Sequence, residues 1–228
     1  MRVQAPAVLV LAGAILAGCG GGAKSNGEAS KPPAQVFADM KRAVASASSV
    51  HAVGSVVNAG QTFGLDLRLV AGVGAAGDIT VGGVRIDIVR LPGTVYFRAP
   101  EAFYSKIAGP SVAALLKGKW LSAPDAKGPL TALVTLTDMR GLVNRLLEGT
   151  SVSLKKGAET TAAGQSVLPI VDTIHGTTYD VAATGKPYLV EAKAAQGTKA
   201  ASVTLSNWGK KVTLTAPKGA VALSKLGG

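Results

Sequence analysis

The chain is poor in several things that would otherwise set its chemistry. It has one cysteine, Cys19, in 228 residues, so no disulfide forms within it and any fold must be held by its own core. It has two histidines, His51 and His175, far apart and outside any short metal-binding or nucleophile signature, and no GxSxG occurs. Aromatic residues make up only 4%. Acidic residues are also scarce, 13 against 24 Lys and Arg, for a formal net charge of +11. A zinc site with no available cysteine and two distant histidines is not expected, and hydrolytic catalysis has only a nonlocal triad left to it. Lys and Arg are scattered without interleaved aromatics, which argues against nucleic acid; an anionic lipid surface or an acidic glycolipid suits the charge better, the alternative being a solvated basic surface that only aids solubility.

The catalytic motifs that do occur fail on context. Gly72-Val73-Gly74-Ala75-Ala76-Gly77 spells GxGxxG, but the strand-forming "DITVGG" follows it where a phosphate-binding loop needs a helix, so it is expected to be a hairpin connection. Ser153-Leu154-Lys155-Lys156 fits S-x-x-K inside an alternating, strand-like stretch, without the companion motifs. His51 is expected at a strand start and His175 in a turn before Gly176. Trp120 and Trp208 are expected to pack at sheet margins. No catalytic residue, metal or cofactor is assigned, and the chain is not expected to be an enzyme.

What is present begins at the N-terminus. Met1 and Arg2 precede an apolar run over residues 5–16, too short to span a membrane and patterned like a signal peptide. Leu16-Ala17-Gly18-Cys19 resembles a bacterial lipobox, which implies cleavage after residue 18 and acylation, palmitate included, of Cys19. Residues 20–33, "GGGAKSNGEASKPP", read as a flexible tether, about 20 Å end to end on average and roughly 48 Å at full stretch. The expected organisation is therefore a signal peptide at 1–18, a lipidated N-terminus and tether at 19–33, and one folded domain at 34–228, rich enough in apolar residues (47% of the chain) to bury a core.

Past the tether, "AQVFADMKRAVASAS" spaces Val36, Phe37, Met40 and Val44 for one face of a helix opened by Pro33. From residue 49 the period becomes two. "FGLDLRLV" sets Leu65, Leu67 and Leu69 against Asp66 and Arg68, and "VRIDIVR" sets Val84, Ile86 and Ile88 against Arg85 and Asp87. Further strands are expected at 93–99, 119–123, 151–156, 165–172, 177–183, 187–194, 201–207 and 211–217, joined by glycine-containing turns into an antiparallel meander. Two helical segments interrupt them. One covers residues 111–117, after Pro110 and before Gly118. The other covers about 130–148 and is divided near Thr137-Asp138, where either residue can cap a second piece. Leu133, Leu136, Met139, Leu142, Val143, Leu146 and Leu147 give that segment a broad apolar face.

The order of lipobox, polar tether, amphipathic helix ending in "SVH", alternating strands, "GTVYF", "GKW", a helical insert and "GTTYDVAATGKPYLVE" resembles actinobacterial lipoproteins of the LppX, LprA, LprF and LprG group, over nearly the whole mature chain. The resemblance implies an α+β fold similar to LolA and LolB: a strongly curved antiparallel sheet, an open half-barrel, with helices covering its concave face. It also implies a non-catalytic, membrane-anchored protein on the outer face of the cell membrane. Such a protein holds an acylated lipid or glycolipid between sheet and helices and carries it within the envelope or hands it to a transport protein. The candidate lining residues are Phe37 and Met40 on the first helix, Leu65, Leu67, Ile86, Ile88, Val95 and Phe97 on strands, and Met139, Leu142, Val143 and Leu146 on the later helices. The alternative is a surface-displayed module that binds a protein partner or the cell wall with its interior filled; each of those side chains would then be ordinary core.

Overall fold

A computed structural model describes residues 24–58, 60–125, 131–194 and 201–225. The expected signal peptide at 1–18 and the lipidation residue Cys19 lie outside the described residues. Elements run in the order α1 (Pro33–Ala45), β1 (Ser49–Asn58), β2 (Gln61–Val70), β3 (Gly74–Val81), β4 (Val84–Leu91), β5 (Thr94–Arg98), α2 (Glu101–Ala108), α3 (Pro110–Leu116), β6 (Leu121–Pro124), α4 (Thr131–Leu136), α5 (Met139–Leu147), β7 (Leu154–Lys156), β8 (Thr160–Ala162), β9 (Gln165–Asp172), β10 (Thr177–Ala182), β11 (Leu189–Ala194), β12 (Ala201–Ser206) and β13 (Val221–Ala222).

The thirteen strands among the described residues form one open sheet, in the order β13-β6-β5-β4-β3-β2-β1-β12-β11-β10-β9-β7, with β8 beside β9. Pairing is antiparallel except between β13 and β6. Two meanders therefore meet where β1 pairs with β12, a closure between distant segments that local alternation does not encode. The register aligns one apolar row across the sheet, Leu121–Phe97–Ile88–Gly77–Leu67–Ala52–Leu205, and a second, Ile86–Ile79–Leu65–Gly54–Val203–Ala192–Tyr179–Ile170. Apart from the two glycines, every member of these rows is buried, and with Val36, Met40 and Val44 of α1 and Met139, Leu142 and Val143 of α5 they make one core on the inner face. The glycines let the strands close up and coil. A Cβ on Gly54 would sit 2.0 Å from the Ser202 carbonyl oxygen and one on Gly77 1.9 Å from that of Asp66, with φ at +145° and +151°. Of the expected GxGxxG, Gly74 and Gly77 thus belong to β3, and no helix follows.

The outer face carries a row of carboxylates. Asp66, Asp78 and Asp87 stand opposite one another on β2, β3 and β4, and Glu191 stands opposite Asp180 on β11 and β10. Cations meet most of it: Arg98 and Arg85 on Asp87, Arg85 on Asp78, and Lys193 on Asp180 and Glu191; the His51 ring Nε2 lies 2.7 Å from Asp66. Burial, then the neighbouring Asp66 and Asp87, push the Asp78 carboxyl above the ordinary range against the pull of Arg85.

Three expectations need correcting. Residues 20–33 are not a free tether where they are described: Ser25 bridges Thr184, Asn26 bonds the carbonyls of Ala182 and Ala183, and residues 28–30 form a 3-10 turn. Lys31 pairs with Glu28 and Asp39 at 2.7 and 2.6 Å, and Lys156 Nζ donates to the Lys31 carbonyl. A polar segment without apolar period docks through backbone bonds and ion pairs, which composition does not reveal. Residues 211–217 alternate like a strand but join no ladder, because β12 already has β11 and β1 on its two sides. The helix α2 was not expected; Pro100 before it and Glu101 in its first turn are its sequence signals. By contrast, the helical insert is divided where expected, with the Asp138 side chain accepting from Gly141 N at 2.6 Å at the start of α5.

The strand ends can be named by register. Ser49, Val70, Ser206, Leu189 and Ala182 lie at one end of adjacent strands, the lower end; Asn58, Gln61, Ala201, Ala194 and Thr177 lie at the other, upper end.

Candidate functional site

The short helix α5 lies over the inner face with an open cleft on either side. The first cleft, about 240 Å³, lies between Arg145 and Leu146 of α5, with Glu148 just past its end, and the upper halves of β1, β10, β11 and β12. Its floor is made of small side chains, Ala192, Ala194 and Ala201, with Val203 and Val56 beside them. In the two apolar rows across β2–β5 the inward positions, Gly77 apart, hold Leu, Ile and Phe; here alanines leave the volume that a helix cannot fill. Tyr179 closes one side, its ring 5.2 Å from Phe37 and its hydroxyl 2.7 Å from Thr150 Oγ1, and burial raises its pKa. The second cleft, about 230 Å³, separates α5 from α1 and is walled by Val44, Ala47, Met139, Val143 and Leu147, with Lys41 and Arg140 on its rim. Lys41, Asn144 and Arg145 also line a shallower depression that passes over α5 between them.

The twelve candidate residues fall into one region of the structure. Met40, Leu65, Leu67, Ile86, Ile88, Val95, Phe97, Met139, Leu142 and Val143 are buried in the common core, and Phe37 and Leu146 are half-buried against it. Only Leu146 lines the first cleft, and Met139 and Val143 the second. The strand candidates lie beneath packed side chains rather than along either cleft. Sequence reasoning missed the alanine floor, because it looked for large apolar residues whereas a cleft is marked by small ones at inward positions, as in "EAKA" and "ASV".

The helix is held at its first turn by a half-buried cation. Arg90 occupies the inward row Val50–Leu69–Ala75–Arg90–Val95 and reaches Asp125 at 3.3 Å and Asp138 at 3.9 Å. Its Nε is buried without a partner. Asp138 therefore both caps α5 and meets the Arg90 guanidinium. The other end of α5 passes through Glu148 into Gly149, at φ +71°.

One further polar cluster brings Ser151, Asp172 and His175 together. Asp172 is wholly buried and accepts from Ser151 N and Oγ, from Ile174 N, and from His175 N, with His175 Nδ1 at 2.9 Å. Burial alone would raise its pKa; the Ser151 and His175 hydrogen bonds outweigh this and hold the carboxyl far below the usual range. The carboxylate stands between serine and histidine, and the Ser151 hydroxyl donates to it, so the arrangement ties two turns together rather than directing a base at a nucleophile. Among the described residues no group of three His, Cys, Asp or Glu converges as a metal site, and no helix is long and apolar enough to cross a membrane.

No protein-family model matches the sequence, and no curated protein sequence matches it significantly. Solved structures do match. The crystal structure of LprF from Mycobacterium bovis superposes with a TM-score of 0.56 at 18% identity, over 82% of this chain and 97% of that one. The lipoprotein LppX from Mycobacterium tuberculosis gives 0.51 at 18% identity, over 80% and 98%. The chain has the LppX/LprF fold. At this identity the likeness concerns the fold alone, and it extends over nearly the whole of both solved structures.

Proposed function

We propose that this protein is a membrane-anchored, non-catalytic lipid binder that takes an acylated lipid or glycolipid under α5 and hands it on within the cell envelope. The observation that supports it is the pair of apolar clefts flanking one short amphipathic helix, floored by alanines and rimmed by Lys41, Arg140 and Arg145. Each cleft falls below the roughly 300–1,000 Å³ of ordinary ligand sites. Lifting α5 joins them. The helix has nine residues and contains Gly141, so it has little stability of its own. Its buried Met139, Leu142 and Val143 hold it down with about 1.5–3 kcal/mol each. A sixteen-carbon acyl chain gains about 13 kcal/mol on leaving water, enough to replace the helix's apolar face on the sheet. The rim cations then meet an anionic headgroup, and Arg90 with Asp138 decides how readily the first turn lifts. Anchoring through Cys19 on the outer face of the cell membrane belongs to the same proposal.

A second reading, an interaction module with a filled interior, draws on the continuous core beneath the clefts. Uptake of a pyrene-labelled diacyl phospholipid from donor vesicles separates the two. Saturable one-to-one uptake by the folded chain is the expected result; no uptake, with the circular dichroism of an intact fold, refutes lipid binding.

A further inference from the structure

The lower end of the sheet gathers several cations next to the point where the N-terminal segment leaves. The turn after β12 is fixed there. Asn207 takes a left-handed conformation at φ +55°, Gly209 N donates to the Ser49 carbonyl, and Ser49 Oγ donates to the Lys210 carbonyl. Trp208 anchors it from behind, stacked on Tyr188 at 5.1 Å with its indole N–H on the Leu189 carbonyl. The turn sets Lys210 and Lys211 beside Arg68 and His51 around a cleft of about 460 Å³ that no carboxylate lines. The closest acid along the strand, Asp66, is engaged by His51. Arg68, Lys210 and Lys211 are exposed.

On the same end, Ser25 bridges Thr184, so Lys24 and the exposed Lys186 of the β10–β11 connection stand beside the exit of the chain. Val73, 41% exposed, projects from the β2–β3 turn, also at this end. Because residues from 25 onward are docked, only five residues separate Cys19 from Lys24 inclusive, a reach of at most about 18 Å. A chain held at Cys19 keeps this end within one or two screening lengths of the bilayer.

We propose that the lower end, Arg68, Lys210 and Lys211 with Lys24 and Lys186, is a docking face for an anionic phospholipid surface, with Val73 touching the interface. It presses the body against its own membrane and leaves the first cleft, at the upper end, turned away from that membrane. The recognition itself depends on neither Cys19 acylation nor the cleft's ligand; the anchor only decides which membrane is met.

The test uses the chain from residue 20 onward, which contains every described element, and sedimentation with vesicles that are one-third phosphatidylglycerol in phosphatidylcholine. Binding is expected, and it is expected to fall steeply with salt and to be absent on pure phosphatidylcholine. At about fivefold per cation, Lys210→Gln with Lys211→Gln lowers partition about 25-fold, while Lys106→Gln with Lys155→Gln, exposed cations away from this end, changes it less than about twofold. Equal losses from both pairs overturn the proposal, as does no binding by the parent chain. Loss with Val152→Ser and Ile174→Ser, the exposed apolar tips at the upper end, assigns docking to the opposite end and also overturns it. Displacement by inorganic phosphate at constant ionic strength points to a discrete phosphate site rather than a surface, with the same consequence. Pyrene-lipid uptake measured on each variant stays at the parent level, which keeps this outcome separate from the cleft's.

Discussion

Replacing Ala192 with leucine asks whether the space under α5 is real and whether it is used. Ala192 is 5% exposed, stands between Tyr179 and Val203 on β11, and faces the first cleft. Leucine adds three carbons. If they enter the 240 Å³ cleft, they bury apolar area worth up to about 2.4 kcal/mol, at about 0.8 kcal/mol per carbon. Some of that is lost to ordering the side chain, so a gain of about 1–2 kcal/mol is expected, or a melting temperature higher by about 2–8 °C for a chain of this size. The same leucine forced into a filled interior costs about 1–3 kcal/mol. The sign of the change, read by thermal or urea unfolding, therefore separates a cleft from packed core. Lipid uptake is the second readout: the account requires that the stabilised variant lose it. A variant that is more stable and takes up lipid as well as the parent refutes the assignment of this cleft; a destabilised one refutes the cleft itself.

Other outcomes follow from the electrostatics. Asp78→Asn is expected to stabilise the chain by about 0.2–1 kcal/mol near neutral pH, since it removes a like charge opposite Asp66 and Asp87. The raised Asp78 pKa means that the parent's folded state holds its proton longer than the unfolded chain does. The parent's stability relative to Asp78→Asn should therefore fall as pH rises from the ordinary aspartate pKa through the raised one. Asp172 has the opposite sign: its depressed pKa contributes stability above the ordinary aspartate range and loses it as pH falls below that range. Asp172→Asn should be less stable than the parent at neutral pH and approach it in acid, as urea titrations at several pH values would show. Arg90→Met removes the tie between β4 and the α5 cap, so amide hydrogen exchange over residues 139–147 should quicken and lipid uptake should accelerate. Unchanged exchange there would remove Arg90 from the account of how α5 lifts.

Much of the architecture was legible because the relevant information is local. The alternation in "FGLDLRLV" and "VRIDIVR" fixes which face of β2 and β4 is inward, and Asp138 with Gly141 marks where one helix stops and α5 begins. Information that lives between distant residues was not legible. Pairing of β1 with β12 depends on register, the docking of residues 25–31 depends on backbone acceptors at Ala182 and Ala183, and the irregular course of 211–217 depends on β12 having no free edge. Around the candidate site, α5 and its apolar face were legible in the sequence, whereas the alanine floor was not, because Ala192, Ala194 and Ala201 carry no hydrophobic signal strong enough to stand out. The basic end was invisible for a related reason. Arg68, Lys186 and Lys210 are far apart in the chain and are gathered only by the strand order.

The central claim is that an acylated lipid occupies the space under α5, and native mass spectrometry of the mature chain tests it most directly. The chain is purified without its anchor from an envelope-bearing actinobacterial host, and any adduct is extracted and weighed. The account predicts one reproducible lipid mass per chain, released on denaturation and absent from Ala192→Leu. A clean unliganded mass that persists after incubation with host envelope lipids would contradict it.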